Sequence, residues 1–164
     1  DYAFSEKKSD FMDMFIMSKC KFLITTSHGI FDLASFFRKN ILLVNYADHN
    51  FHYLPKNYTT LILPKKYKNL NKDKYVHYSE VYEKKLYLKS PIDLRDIGYE
   101  LIDNDEEEIL EATKEMFFLS NNNFKTNPSL QEKFWNLYES YFHWKSKTFM
   151  ISSSFYEKNT DLFI

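Results

Sequence analysis

The chain has 164 residues, of which 44% are hydrophobic and 19% aromatic, enough to bury a core and too apolar for a disordered segment. A formal net charge of −1 excludes a generally basic body that would track a nucleic-acid backbone. Cys20 is the single cysteine, so neither a disulfide framework nor a cysteine-based metal site is available, and no apolar run approaches the roughly 18 residues that a membrane-spanning helix needs.

Taken in chain order, Ser9 or Asp10 can cap a helix that ends near Lys19, with Phe11, Met14, Phe15 and Met17 as its buried face. Lys21–Thr25 reads as a strand, Ile30–Phe37 as a helix, and Ile41–Asn45 as a second buried strand, with a turn at Arg38-Lys39-Asn40. Residues 46–55 form a loop, and Thr59–Leu63 is a strand stopped by Pro64. A short helix is expected at Ser79–Lys84, followed by a largely irregular stretch from Lys85 to Tyr99. Asp105 and Glu108 have capping-box spacing at the head of a helix whose stripe is Ile109, Ala112, Met116 and Phe117, ending at Asn121-Asn122-Asn123. Asn127 as N-cap and Pro128 in the first turn open a last long helix, with Leu130, Phe134, Leu137, Tyr138 and Tyr141 on one face. The total is two or three central strands and four helices in one α/β domain, with a parallel sheet flanked by helices.

Strand, glycine-containing loop, helix, strand from Cys20 to Asn45 sets Ser27, His28 and Gly29 at a helix N-terminus, where unpaired amides can receive an anion. In an open α/β sheet the carboxyl ends of the strands form the ligand crevice, so the Thr25–Gly29 loop and the Asn45–His52 loop are expected to be neighbours. That gathers Asp32 from the helix's first turn and Asn45, Tyr46, Asp48, His49 and Asn50 from the second loop. Ser27 as a plain helix cap and Gly29 as a tight-turn residue stay open as alternatives. Asp103-Asn104-Asp105 imitates a metal-holding carboxylate pair, but its position before a helix favours capping. His28, His49, His52, His77 and His143 have no zinc spacing, so the sequence requires no metal or cofactor. The lysines at 65, 66 and 68 read as solvated surface, with steering of an anion as the alternative.

Several stretches resemble the nucleotide-sugar-binding half of a two-domain glycosyltransferase of the GT-B type, in particular a bacterial family of surface-polysaccharide glycosyltransferases. They are Ser9-Asp10-Phe11-Met12-Asp13, the run from Cys20 to Ser27, Gly29, Pro64-Lys65-Lys66, the run from Asp105 to Met116, and the tail Ser154–Asn159. The resemblance implies a Rossmann-like, C-terminal domain that binds an activated sugar donor, preceded by an N-terminal acceptor-binding domain that supplies the catalytic base. A chain that begins at Asp1 is what a cut between those halves would give. The family often has Ser-Gly at the donor loop; here His28 intervenes between Ser27 and Gly29. By this resemblance the partners are a nucleotide-sugar and a glycan or lipid-linked acceptor, with no nucleic acid. The location it implies is cytoplasmic, extending to peripheral association with the inner face of the membrane. A noncatalytic nucleotide- or sugar-binding domain and a structural interaction domain are the alternative readings.

Overall fold

The structure is a computed structural model that describes residues 2–26, 29–47, 58–121, 126–142 and 149–164. Its elements in chain order are α1 (Asp10–Lys19), β1 (Phe22–Thr25), α2 (Ile30–Phe36), β2 (Asn40–Tyr46), β3 (Thr60–Pro64), β4 (Lys66–Asn69), β5 (Lys74–Tyr75) and α3 (Tyr78–Glu83). They continue with α4 (Pro91–Asp96), β6 (Tyr99–Ile102), α5 (Glu106–Leu119), α6 (Pro128–Phe142), β7 (Phe149–Ile151) and α7 (Ser153–Lys158). Strands β1, β2, β3 and β7 pair in that order, all parallel, while β5, β4 and β6 make a small antiparallel sheet. This is an α/β fold of generic Rossmann-like topology, a parallel sheet flanked by helices.

Ile41–Val44 and Leu61–Leu63 are buried on both strand faces, which is why they read as unbroken apolar runs rather than alternating ones. Helix α2 packs on β1 and β2, and α5 crosses β1, β2 and β3. The aromatic content fills the space between α3, α6 and the tail. Tyr138 stacks on Phe142 with centroids 4.3 Å apart, Tyr156 stacks on Phe163 at 4.5 Å, and Tyr82 meets Tyr138 edge-on.

Several expectations are met in detail. Ser9 accepts the Met12 amide at the head of α1, and Asp105 and Glu108 make a complete capping box at α5. Asn127 Oδ1 accepts the Ser129 amide at 3.1 Å at the head of α6. Asp105 is therefore a cap, and its carboxyl pKa is lowered chiefly by the Glu108 amide.

Other expectations are corrected. Residues 85–99 are not irregular: Ser90 and Asp93 form a second capping box around Pro91, starting α4, and Gly98 at φ +80° turns the chain into β6. Pro64 closes β3, but one residue later the chain starts β4, so the small sheet, with β7, raises the strand count beyond three. Lys66 is not solvated surface. It is buried and donates to Glu108 Oε1 at 2.8 Å, and Tyr67 on the other face of β4 is buried too, so both faces of the strand are covered. Lys65 pairs with Asp103 at 2.5 Å and Lys68 with Asp73 at 2.6 Å. The expected buried face of α1 is not buried. Phe11 is 73% exposed and Met14 and Phe15 nearly half exposed, with only Met17 in the core. Periodicity marks an apolar stripe without saying what covers it.

Two substitutions separate the polar groups that hold this core from one that does not. Lys66→Met strands the Glu108 carboxylate and should cost about 3 kcal/mol in urea denaturation. The Thr60 hydroxyl is buried without a hydrogen-bond partner. Thr60→Val should therefore leave stability within about 0.5 kcal/mol of wild type or raise it.

Candidate functional site

The carboxyl ends of β1, β2 and β3 lie at one end of the parallel sheet, as the sequence implies. Of the residues expected there, Ser27, His28, Asp48, His49 and Asn50 lie outside the described residues. Gly29, Asp32, Asn45 and Tyr46 are described, and they divide into two groups.

Asn45 and Tyr46 belong to the scaffold. Asn45 sits at φ 52°, a left-handed conformation that asparagine tolerates better than most residues, where the register between β2 and β3 shifts. Its amide donates to Asn104 Oδ1 at 2.7 Å, and its own Oδ1 accepts the Asn104 amide at 2.7 Å. Asn104 Nδ2 completes the junction by donating to Pro64 O at 3.0 Å. The ends of two parallel strands and the approach to α5 are thus locked by one reciprocal asparagine pair. Tyr46, gathered from the sequence as part of the ligand loop, is 2% exposed and belongs to the core. The Lys65 amide donates to its carbonyl at 2.9 Å. Asn104 went unnoticed in the sequence as a junction residue; its signal was an amide side chain placed just ahead of a capping box.

Gly29 and Asp32 are exposed at the other strand end. Gly29 is the N-cap of α2, with φ −53° and ψ −26°, a conformation open to any residue. A β-carbon built on it would meet nothing within 4 Å. Neither backbone strain nor packing calls for glycine here, and the tight-turn alternative loses its basis. Asp32 lies in the first turn of α2, and its amide donates to Gly29 O at 3.2 Å. Behind this turn, the Tyr58 and Ser35 hydroxyls are hydrogen-bonded between α2 and the entry to β3. Burial pushes the Tyr58 pKa up, Ser35 opposes the shift, and Asp32 adds to it.

Three of the open cavities are lined by none of Gly29, Asp32, Asn45 and Tyr46. A polar one of about 610 Å³ is lined by Lys68, Lys74, His77 and Lys158 among others. One of about 490 Å³ lies between Lys65, Arg95 and Asp103. An apolar groove of about 540 Å³ runs between α1, β1 and α2. In the polar cavity, Lys68 is committed to Asp73, and Lys158 to Asp105 and Glu107. Among the described residues no group of three His, Cys, Asp or Glu side chains is placed to hold a metal ion. Among them, too, no helix is long and apolar enough to cross a membrane. Comparison with protein-family models, curated proteins and solved structures finds no match.

The asparagine pair should behave as one unit. Asn45→Ala should cost about 2 kcal/mol, from a lost acceptor plus strain at positive φ. Asn45→Gly, free of the strain, should cost less. In a double-mutant cycle Asn45→Ala and Asn104→Ala should fall short of additivity by about 1 kcal/mol, measured by urea denaturation.

Proposed function

We propose that this chain is the donor-binding, C-terminal domain of a GT-B-type glycosyltransferase, with a nucleotide diphosphate held at the head of α2. The observation that carries the reading is Gly29. It is one of only two glycines in the chain, it sits at the carboxyl end of β1, and neither its conformation nor its surroundings require it. A glycine that the protein itself does not need leaves room for something outside the protein. The first amides of a helix have no partner within it, and those ahead of Asp32, whose own amide donates to Gly29 O, are suited to phosphate oxygens. Two of the stretches that carry the family resemblance, the run from Cys20 and Gly29, include β1 and the N-cap of α2.

In this reading an acceptor hydroxyl attacks the anomeric carbon of the donor sugar. The bond from that carbon to the diphosphate breaks, and the diphosphate leaves with its growing negative charge. Ser27, His28 and the Gly29 amide supply hydrogen bonds to that charge, so the leaving group is held by the loop. Asp32, exposed one turn on, is suited to a donor hydroxyl rather than to the phosphates, which it would repel. The acceptor, a glycan or lipid-linked sugar, and the catalytic base belong to a preceding N-terminal domain. Nucleotide-sugar chemistry of this kind places the protein in the cytoplasm, at the inner face of the membrane when the acceptor is lipid-linked.

Amide chemical shifts measured against UDP, GDP, ADP, CMP and TDP test this. One nucleotide should shift the amides of Gly29–Asp32 and of the end of β1. Gly29→Ala adds a methyl that meets no protein atom, so it should keep the unfolding temperature while weakening that nucleotide about tenfold or more. A folded chain whose Gly29–Asp32 amides respond to none of the five would refute the reading, as would Gly29→Ala binding with unchanged affinity.

A further inference from the structure

The small antiparallel sheet ends on β6, and its ladder fixes which way the main chain of that strand points. The register pairs Asn69 with Tyr99, Lys68 with Glu100, Tyr67 with Leu101 and Lys66 with Ile102, and just beyond it the Leu70 amide donates to Gly98 O at 2.8 Å. In an antiparallel pair, residues that exchange hydrogen bonds alternate with residues that do not. Gly98, Glu100 and Ile102 therefore turn their main-chain groups to β4, and Leu101 turns its N–H and C=O outward. The other side of β4 has the matching phase, because Tyr67 O, opposite Leu101, is spent on the Val76 amide at 2.8 Å. Among the described residues nothing hydrogen-bonds to the outward edge of residues 100–103.

A cavity follows that edge. The one of about 490 Å³ touches each of residues 100–103. Successive side chains of a strand point to opposite faces, so a cavity reached by four in a row runs along the strand's edge. Pro91 and Ile92, in the first turn of α4, give it an apolar wall. An ion pair stands at each end, Arg95 with Glu100 at 2.6 Å and Lys65 with Asp103 at 2.5 Å. A slot this short, closed by charge at both ends, suits a single ring system better than an added strand.

The Asp103 end of the slot lies towards the proposed donor site. Lys65 follows the last residue of β3, and Asp103 precedes Asn104, whose side chain bonds both the Asn45 amide and Pro64 O. The slot thus opens at the carboxyl ends of β2 and β3, and β1 is two strand spacings, about 10 Å, from β3. A nucleoside diphosphate with its phosphates at the head of α2 is long enough to cross that distance.

We propose, resting on the reading that the diphosphate sits at the head of α2, that this slot takes the nucleoside half of the donor. A heterocyclic base is flat and apolar on its faces, and carries a hydrogen-bond donor beside an acceptor on its edge. One outward-facing strand residue is the complement of that edge: Leu101 N–H donates to the base and Leu101 C=O accepts from it. Pro91 and Ile92 cover a face of the ring. The ribose hydroxyls donate to Asp103, whose Oδ1 is paired with Lys65 while the second oxygen has no partner among the described residues.

Amide chemical shifts of the wild-type chain test this with two probes, the ribonucleoside diphosphate it binds best and inorganic pyrophosphate. The nucleotide should shift Leu101 and Asp103 together with residues 29–32, whereas pyrophosphate should shift residues 29–32 alone. The ribonucleotide should bind about tenfold tighter than its 2′-deoxy counterpart, and Asp103→Ala should erase that preference while leaving pyrophosphate affinity unchanged. A nucleotide that shifts residues 29–32 and leaves Leu101 unmoved would overturn the slot and keep the donor reading. One that shifts Leu101 and leaves residues 29–32 unmoved would support the base site and refute the diphosphate's place. A ribose preference that survives Asp103→Ala would overturn the slot as well, and a chain that binds no nucleotide would overturn both.

Discussion

The Glu108 carboxylate joins three separate parts of this molecule. Its side chain is fully buried, and a charge taken out of water has to be met by donors on every side. Lys66 of β4 and Asn159, just past α7, both donate to Oε1, while the Asp105 amide donates to Oε2. The small antiparallel sheet, the first turn of α5 and the end of α7 are therefore held through one carboxylate. Glu115, two turns along the same helix, does the same for the start of α7 by accepting from the Ser152 and Ser153 hydroxyls and the Ser153 amide. Burial pushes the Glu115 pKa up, and those donors oppose the shift.

That constraint reaches the candidate site through Asn104. It lies one residue before the α5 cap, so fixing the head of α5 fixes Asn104, and through it Asn45 and Pro64. Among the described residues, the Asn45 amide and Oδ1 and the Pro64 carbonyl at the ends of β2 and β3 are spent on Asn104, whereas past the end of β1 the chain has an exposed glycine and an exposed aspartate on a fresh helix turn. In the proposed reading the first two ends are rigid scaffold and the third meets the diphosphate.

Features set by local chemistry were legible in the sequence, whereas those set by distant partners were not. Ser9, Asp105 and Asn127 announced their helices because a cap and the amides it satisfies lie within three residues of each other. Ile41–Val44 announced a strand covered on both faces. The box at Ser90 and Asp93 is equally local and equally readable from its spacing around Pro91. Lys66 could not be read correctly, because its neighbours in sequence are lysines and tyrosine while its partner is 42 residues away. Tyr46 was aromatic and adjacent to a loop, which suits a stacking platform or a core residue equally well until burial decides. The stripe on α1 was read for its period, and only the fold shows that most of it faces outward.

Of the nine residues gathered as a donor site from the sequence, Asn45 and Tyr46 belong to the scaffold, Gly29 and Asp32 stand at an open strand end, and the other five lie outside the described residues. A crystal structure of the chain grown with the nucleoside diphosphate that it binds best would test that remaining centre directly. The account predicts the diphosphate at the head of α2, its oxygens within hydrogen-bonding distance of the Gly29 amide, with the ring of Tyr46 still in the core. A diphosphate seated instead among Lys68, Lys74 and Lys158 would contradict it.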